Sequence, residues 1–330
     1  MIAALDAGAW VWREKPPTSP DSSRRARTMP DTTLTVREED KSLVITAGDV
    51  QIARYVHQPD APDAESPKPY LHPIRSLSGA PMSVYRPHDH RWHKGLQMTW
   101  AHLSGQNFWG GPTFSVERDY HWEDNLGHIN HLAFTDVSSD GRRVVAEEDL
   151  HWVSARGEHW VTEQRRQVFH GVDSARGVWA LDFTTTLHNV RGATLDFGSP
   201  TTHGRPMAGY AGYFWRGPRS WTGGTIIGAG GLGGEEMMGV EAPWLAVVGQ
   251  HDAIDGGGTV LAIAGHSSAP VPIKWFVRTE PFAVISPSPS FDEEISLADG
   301  DTLELAHRYV FIDRMCDRAE LDELGAEFAL

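Results

Sequence analysis

The chain has 330 residues but only one cysteine, Cys316, which rules out internal disulfides and any cysteine-based metal cluster. That thiol lies near the C-terminus, away from the histidine-rich stretch described below, and is not assigned as a nucleophile. Basic residues are also scarce. Against 44 Asp and Glu there are 29 Lys and Arg, for a formal net charge of −15 and no basic stripe. A nucleic-acid backbone is therefore excluded as the main partner. No apolar run approaches the roughly 18–20 residues of a membrane span. The opening, Met1 to Trp12, has neither the basic n-region nor the apolar h-region of a signal peptide, so a cytoplasmic location is expected. Helical periodicity is nearly missing: only the closing RAELDELGAEFAL spaces Leu321, Leu324 and Phe328 for one helix face.

Turn formers and rings are abundant: 33 Gly, 21 Pro, 13 Trp and 17 His. Many Gly and Pro imply many turns and short strands. Residues 1–32 run through PPTSPDSSRRARTMP and read as a disordered leader, with Met29 as an alternative start. From Thr33 the texture becomes alternating. In Trp179–Leu187, for example, Trp179, Leu181, Phe183 and Thr185 share one face. A dozen or more such segments, with no βαβ alternation, predict an all-β fold of large stacked antiparallel sheets with few short helices. No linker divides 33–330, which reads as one β-sandwich domain. The run GAGGLG (228–233) matches a dinucleotide fingerprint. Gly239 and Pro243 leave little room for the helix that motif needs, so it reads as a glycine loop.

The densest chemistry lies in YRPHDHRWHKG (85–95), where Arg86, His88, Asp89, His90 and His93 fall together. Pro87 favours an extended Arg86, and strand parity would then point Arg86, His88 and His90 one way and Asp89 the other. His93 joins the other histidines only if the chain bends after His90. Three readings stay open at this point. The imidazoles can do acid–base work with Asp89 orienting a ring. His88, His90 and His93 can ligate a metal. Or the rings can simply satisfy buried backbone. Nearby aromatics such as Trp109 suit stacking on a sugar ring, with Asn107 bonding hydroxyls. A second constellation, HGRPMAGYAGYFWRGPRSW (203–221), supplies His203, Arg205, Tyr213 and Trp215, and IKWFVRTEPFAVIS (273–286) supplies Arg278. Arginine suits bidentate contact with a carboxylate or vicinal hydroxyls. Glu163, in WVTEQRR, is the best isolated carboxylate for a base, although a two-carboxylate glycosidase arrangement is not evident.

PYLHP (69–73), RPHDHRWHKGL (86–96), NFWGG (107–111), GRPMAGYAGYFWRGP (204–218) and WFVR (275–278) together resemble the PmoA-like family of bacterial proteins. The matches run in order across most of the chain. The family borrows the name of a methane oxygenase subunit, an activity this sequence does not support because it lacks spanning helices. The resemblance implies a β-supersandwich similar to the galactose-mutarotase superfamily and a setting in carbohydrate catabolism. Arg91-Trp92 departs from the family's usual Pro-His, which leaves one histidine fewer, and GHSSAP (265–270) departs from an Asp–His–Pro–Asn type of loop.

The leading expectation is an enzyme acting on a sugar or glycoside by epimerase, lyase or hydrolase chemistry. His88, His90, His93 and Glu163 would be catalytic. His72, Arg86, Asp89, Asn107, Trp109, His203, Arg205, Tyr213, Trp215 and Arg278 would bind a small-molecule carbohydrate. The leading reading assigns no cofactor and no metal. A non-catalytic sugar-binding module and a metal enzyme using His88, His90 and His93 are the alternatives.

Overall fold

The computed structural model describes residues 32–252 and 254–330, so all but the last residue of the expected leader lies outside them. The described chain is all-β, as the alternation predicts, and two eight-stranded sheets dominate it. In spatial order the first sheet holds Leu34–Glu39, Ser42–Ala47, Val50–Val56, Tyr70–Ile74, Leu96–Thr99, Gly212–Arg216, Val284–Ser288 and Lys274–Arg278. The second holds Thr225–Gly228, Trp244–Gln250, Gly257–Ser267, Thr302–Ile312, Val178–Asn189, His159–Asp173, Val144–Val153 and His128–Ser139. Their pairings are antiparallel. Among the described residues, no helix is long and apolar enough to cross a membrane.

Side-chain alternation decides what each face does. In Val178–Asn189, Trp179, Leu181, Phe183, Thr185 and Leu187 are all buried, whereas Asp182, Thr184, Thr186 and His188 are half-buried. The inward positions of both sheets meet in one core that includes Tyr55, Trp100, Trp152, Trp215, Trp221 and Trp275. Truncating a ring such as Trp179 or Trp215 to alanine costs about 3–5 kcal/mol, from lost transfer energy and the cavity left behind.

Neither outer face is left bare. On the second sheet, Val178, Ala180, Leu261 and Val310 pack against Leu321, Leu324 and Phe328 of the C-terminal helix. That helix spans Arg318–Glu327, and its first turn is capped by the Asp317 carboxylate, which accepts from the Glu320 amide at 3.0 Å. On the first sheet, Phe214, Phe276 and Val284 form a separate apolar cluster with Trp109, Ala101 and Phe291. The strand Gly212–Arg216 is therefore buried throughout: Tyr213 and Trp215 join the core between the sheets, and Phe214 faces the other way. The candidate site is built on this outer cluster. The GAGGLG run begins at the last residue of Thr225–Gly228 and passes into short 3₁₀ turns instead of opening an α-helix, as its composition suggests.

The core also holds histidines. Burial pushes His102, with the nearby His203 adding to the effect, down to about 3, and does the same to His307. These groups are neutral in the fold, while in the unfolded chain they titrate near 6.5. Their contribution is present above that value and is lost as pH falls from about 6.5 toward 3. Urea unfolding should therefore show stability declining below pH 6.5, each of the two approaching about 1.4 kcal/mol per pH unit. A profile flat from pH 7 to 5 would contradict it.

Candidate functional site

Residues 86–93 form a closed loop, not a strand. The Arg86 amide donates to the His93 carbonyl at 2.9 Å, the His90 amide to the Pro87 carbonyl at 3.1 Å, and the His93 amide to the His90 carbonyl at 3.0 Å. Arg86 is left-handed, with φ 45°. This corrects the extended Arg86 and the strand parity expected from Pro87. Proline disfavours the right-handed helical region for the residue before it, but a left-handed turn remains open. The Arg86 guanidinium is taken up by Glu65, to which Nε donates at 2.9 Å, and Lys94 Nζ stands 3.1 Å from the same carboxylate.

The turn brings Asp89, His90 and His93 together against the sheet. Arg216, at the end of its strand, donates from Nη2 to Asp89 Oδ2 at 2.9 Å and from Nη1 to His93 Nδ1 at 2.8 Å. Its guanidinium lies 3.5 Å from the centre of the Phe282 ring. His90 and His93 stack with centroids 4.7 Å apart and planes at 8°. His90 Nδ1 lies 3.1 Å from Asp89 Oδ2. A carboxylate only accepts, so neutral His90 carries its proton on Nδ1 and presents Nε2 as a lone pair. His93 has the reverse tautomer, because its Nδ1 accepts from Arg216.

The charges follow from these contacts. Burial alone would raise the Asp89 carboxyl, but the bonds from Arg216 and His90 outweigh it and hold the group well below the usual carboxylate range. Burial lowers His90, with the Asp89 bond opposing it and the Arg216 and Arg278 charges adding to it. Burial, then the neighbouring His90 and Arg216, push His93 well below the usual histidine value. Both imidazoles are neutral at pH 7.

His90 and His93 form part of the wall of a cavity of about 360 Å³. Trp109, Tyr210, Phe214 and Phe276 give it aromatic faces, Trp92 and Phe282 flank the histidines, and Tyr120, Arg205 and Arg278 complete the polar side. Trp109 is 4.6 Å from Tyr210 and 4.7 Å from Phe214, ring to ring. The Trp109 loop is fixed from beneath. Asn107 Oδ1 accepts from the Trp109 and Gly110 amides at 2.8 and 2.9 Å. Buried Lys68 donates to the carbonyls of Trp109 and Ser66 at 2.8 Å. The double glycine of NFWGG is required here, because a Cβ on Gly110 or Gly111 would sit 2.8 or 2.5 Å from Trp92, and both have positive φ. A second cavity, of about 310 Å³, shares His90, Pro281 and Phe282 with the first and adds His88, Asp89, Arg216 and Arg219.

The structure thus brings together His90, His93, Trp109, Arg205 and Arg278, with Asp89 immediately behind His90. His88 faces the second cavity, where its Nδ1 accepts from Arg219 at 2.6 Å. With His88 and His93 each bonded to an arginine, the trio does not converge. Among the described residues no three His, Cys, Asp or Glu side chains are grouped as metal ligands, so the residues do not fit that alternative.

The other expected residues lie elsewhere. Tyr213 and Trp215 point into the inter-sheet core, where Tyr213 Oη donates to the Leu305 carbonyl and Trp215 Nε1 to the Met82 carbonyl. Asn107 supports the loop and does not line the cavity. Arg86 is occupied by Glu65. His72 bonds the Ser83 hydroxyl at 2.9 Å, and burial pushes it down to about 4. His203 stacks on His102 with centroids 3.9 Å apart. Glu163 is fully buried in the sandwich. It accepts from Trp152 Nε1 at 2.8 Å and from Arg165 at 2.7 and 2.9 Å, because odd positions of His159–Asp173 face inward here.

The residues that sequence reasoning passed over are Tyr120, Phe214, Phe276, Phe282 and the structural role of Arg216. Parity was the available signal for two of them: once Tyr213 and Trp215 are core, Phe214 and Arg216 must face outward together, as Phe276 and Arg278 do two strands away.

Fold and site together define an antiparallel β-sandwich protein with an aromatic, histidine-bearing cavity on the outer face of one sheet. Residues 42–326 match the family described as "Family of unknown function (DUF6807)", and the chain belongs to that family. The match lends the methane-oxygenase label no support. No curated protein matches the sequence. The crystal structure of galactose 1-epimerase from Lactobacillus acidophilus NCFM is similar over 85% of this chain and 98% of that chain, at 8% identity and a TM-score of 0.36. At that level the likeness carries no argument about activity.

The placement of Glu163 makes a direct prediction. Glu163→Ala leaves Arg165 buried without its carboxylate and should cost about 3–5 kcal/mol in urea unfolding. A variant as stable as the parent would contradict the buried pair.

Proposed function

We propose that this protein binds a sugar in the aromatic cavity and acts on it by general acid–base catalysis through His90. The observation that carries this reading is the Asp89–His90 pair at the cavity wall, with Nδ1 committed to the carboxylate. That contact fixes the tautomer and leaves Nε2 as the base, while burial keeps the ring unprotonated at neutral pH. Arg216 holds Asp89 ionised and His93 in register, and so positions the base without touching the ligand. About 360 Å³ lies in the range of small-molecule sites and suits a monosaccharide. Trp109 offers a flat apolar face for the C–H side of a sugar ring. In the reaction, Nε2 takes a proton from an anomeric hydroxyl or from carbon beside a carbonyl, and the imidazolium formed is stabilised by Asp89. The same group then returns the proton to product.

The test is to incubate the purified chain with aldoses, ketoses and sugar acids and follow interconversion by proton NMR. The parent should convert at least one sugar. His90→Gln should lower that rate by about 10²–10⁴-fold, the usual worth of a positioned acid–base group, with sugar affinity little changed. Because the neutral ring is the base, the rate should be flat at pH 7–8 and fall in acid, with its midpoint below 6.5, the ordinary histidine value. Sugar binding with no conversion of any compound would leave a binding module and overturn the catalytic reading. Binding of no sugar would overturn the whole proposal.

A further inference from the structure

The cations around the site are not treated alike. Arg216 is paired with Asp89, and Arg86 and Lys94 share Glu65. Arg205 and Arg278 both line the aromatic cavity, and among the described residues neither forms an ion pair. Arg205 donates to the Tyr120 hydroxyl at 2.5 Å, and its guanidinium lies 4.8 Å from that ring. The Arg278 guanidinium lies 4.8 Å from the centre of the Phe276 ring. The two are close enough for each charge to oppose the other. After burial, Arg205 is the main cause that lowers Arg278 from its usual value, and Glu235 is the one carboxylate whose field offsets it.

Two unpaired guanidiniums in one apolar cavity are costly. They are notable in a chain with a net charge of −15, where carboxylates are plentiful. The cost is relieved when an anion enters, and a guanidinium presents a planar fork that matches a carboxylate. We infer that the sugar is an acidic one, a uronic acid whose carboxylate sits between Arg205 and Arg278 while its ring lies toward Trp109. This rests on the sugar reading above and adds the substrate class. Arg278, on a sheet strand, is the fixed half of the clamp, and Arg205, on the 199–211 loop and bonded to Tyr120, is the other half.

Calorimetric titration of the full chain with D-galactose, D-glucose, D-galacturonate, D-glucuronate and D-galactose 6-phosphate tests it. At least one uronate should bind tenfold or more tightly than its neutral parent, a difference of about 1.4 kcal/mol or more, because charge-assisted bonds outweigh neutral ones. That preference should shrink with added salt. Arg278→Gln should erase it, bringing the uronate's affinity down to that of its neutral parent, and Arg278→Lys, which keeps the charge, should retain part of it. If Arg278→Gln does not fold, Arg205→Gln gives the same readout. Neutral sugars binding as well as their uronates would overturn this inference and leave the proposed function standing. A 6-phosphate binding more tightly than every uronate would overturn the carboxylate assignment. If no compound in the set binds, the sugar reading fails, and this inference fails with it.

Discussion

The site depends on one guanidinium. Arg216 closes a strand of the first sheet and reaches both Asp89 and His93 in the 86–93 loop, while Phe282 covers its face. Its Nε is buried without a partner, so the side chain is held by two bonds at one end and by packing along its length. Without it, Asp89 would lose the bond that most lowers its carboxyl against the effect of burial, and His93 the donor that sets its tautomer. Buried charge needs pairing, and here pairing and orientation are supplied by the same atoms.

The fold was largely legible from pattern. Alternation in 178–189, the shortage of helical spacing and the closing amphipathic run each found their counterpart, because period-two burial is a local property of strands. The site was half legible. His90, His93, Trp109, Arg205 and Arg278 converge, while Glu163, Tyr213 and Trp215 do not. The reason is physical. Density of reactive residue types marks a neighbourhood, but which side of a strand each residue takes depends on register against the partner sheet. Glu163 carries no local sign that Arg165 and Trp152 will enclose it. The path of 86–93 was illegible for a related cause: the Arg86 side chain is anchored by Glu65, twenty-one residues upstream in DAPDAESPKP (60–69), whose composition reads as a polar, proline-rich loop.

That loop carries more than its composition suggests. Glu65 and Lys68 are both buried, the first neutralising Arg86 and Lys94, the second tying three backbone carbonyls, those of Glu65, Ser66 and Trp109. Burial pushes the Lys68 amine well below its usual range, with Lys94 adding to the effect and Glu65 opposing it. The aromatic wall is thereby built before any ligand arrives, and little ordering cost remains for binding.

Tyr213 and Phe214 are adjacent in sequence and belong to different apolar clusters, one between the sheets and one beneath the cavity. A single strand therefore answers to two separate selections. Changes on its outer parity reshape what the cavity admits, and changes on its inner parity alter whether the sandwich holds. The outward positions of this strand shape the cavity wall, and the inward ones the sandwich.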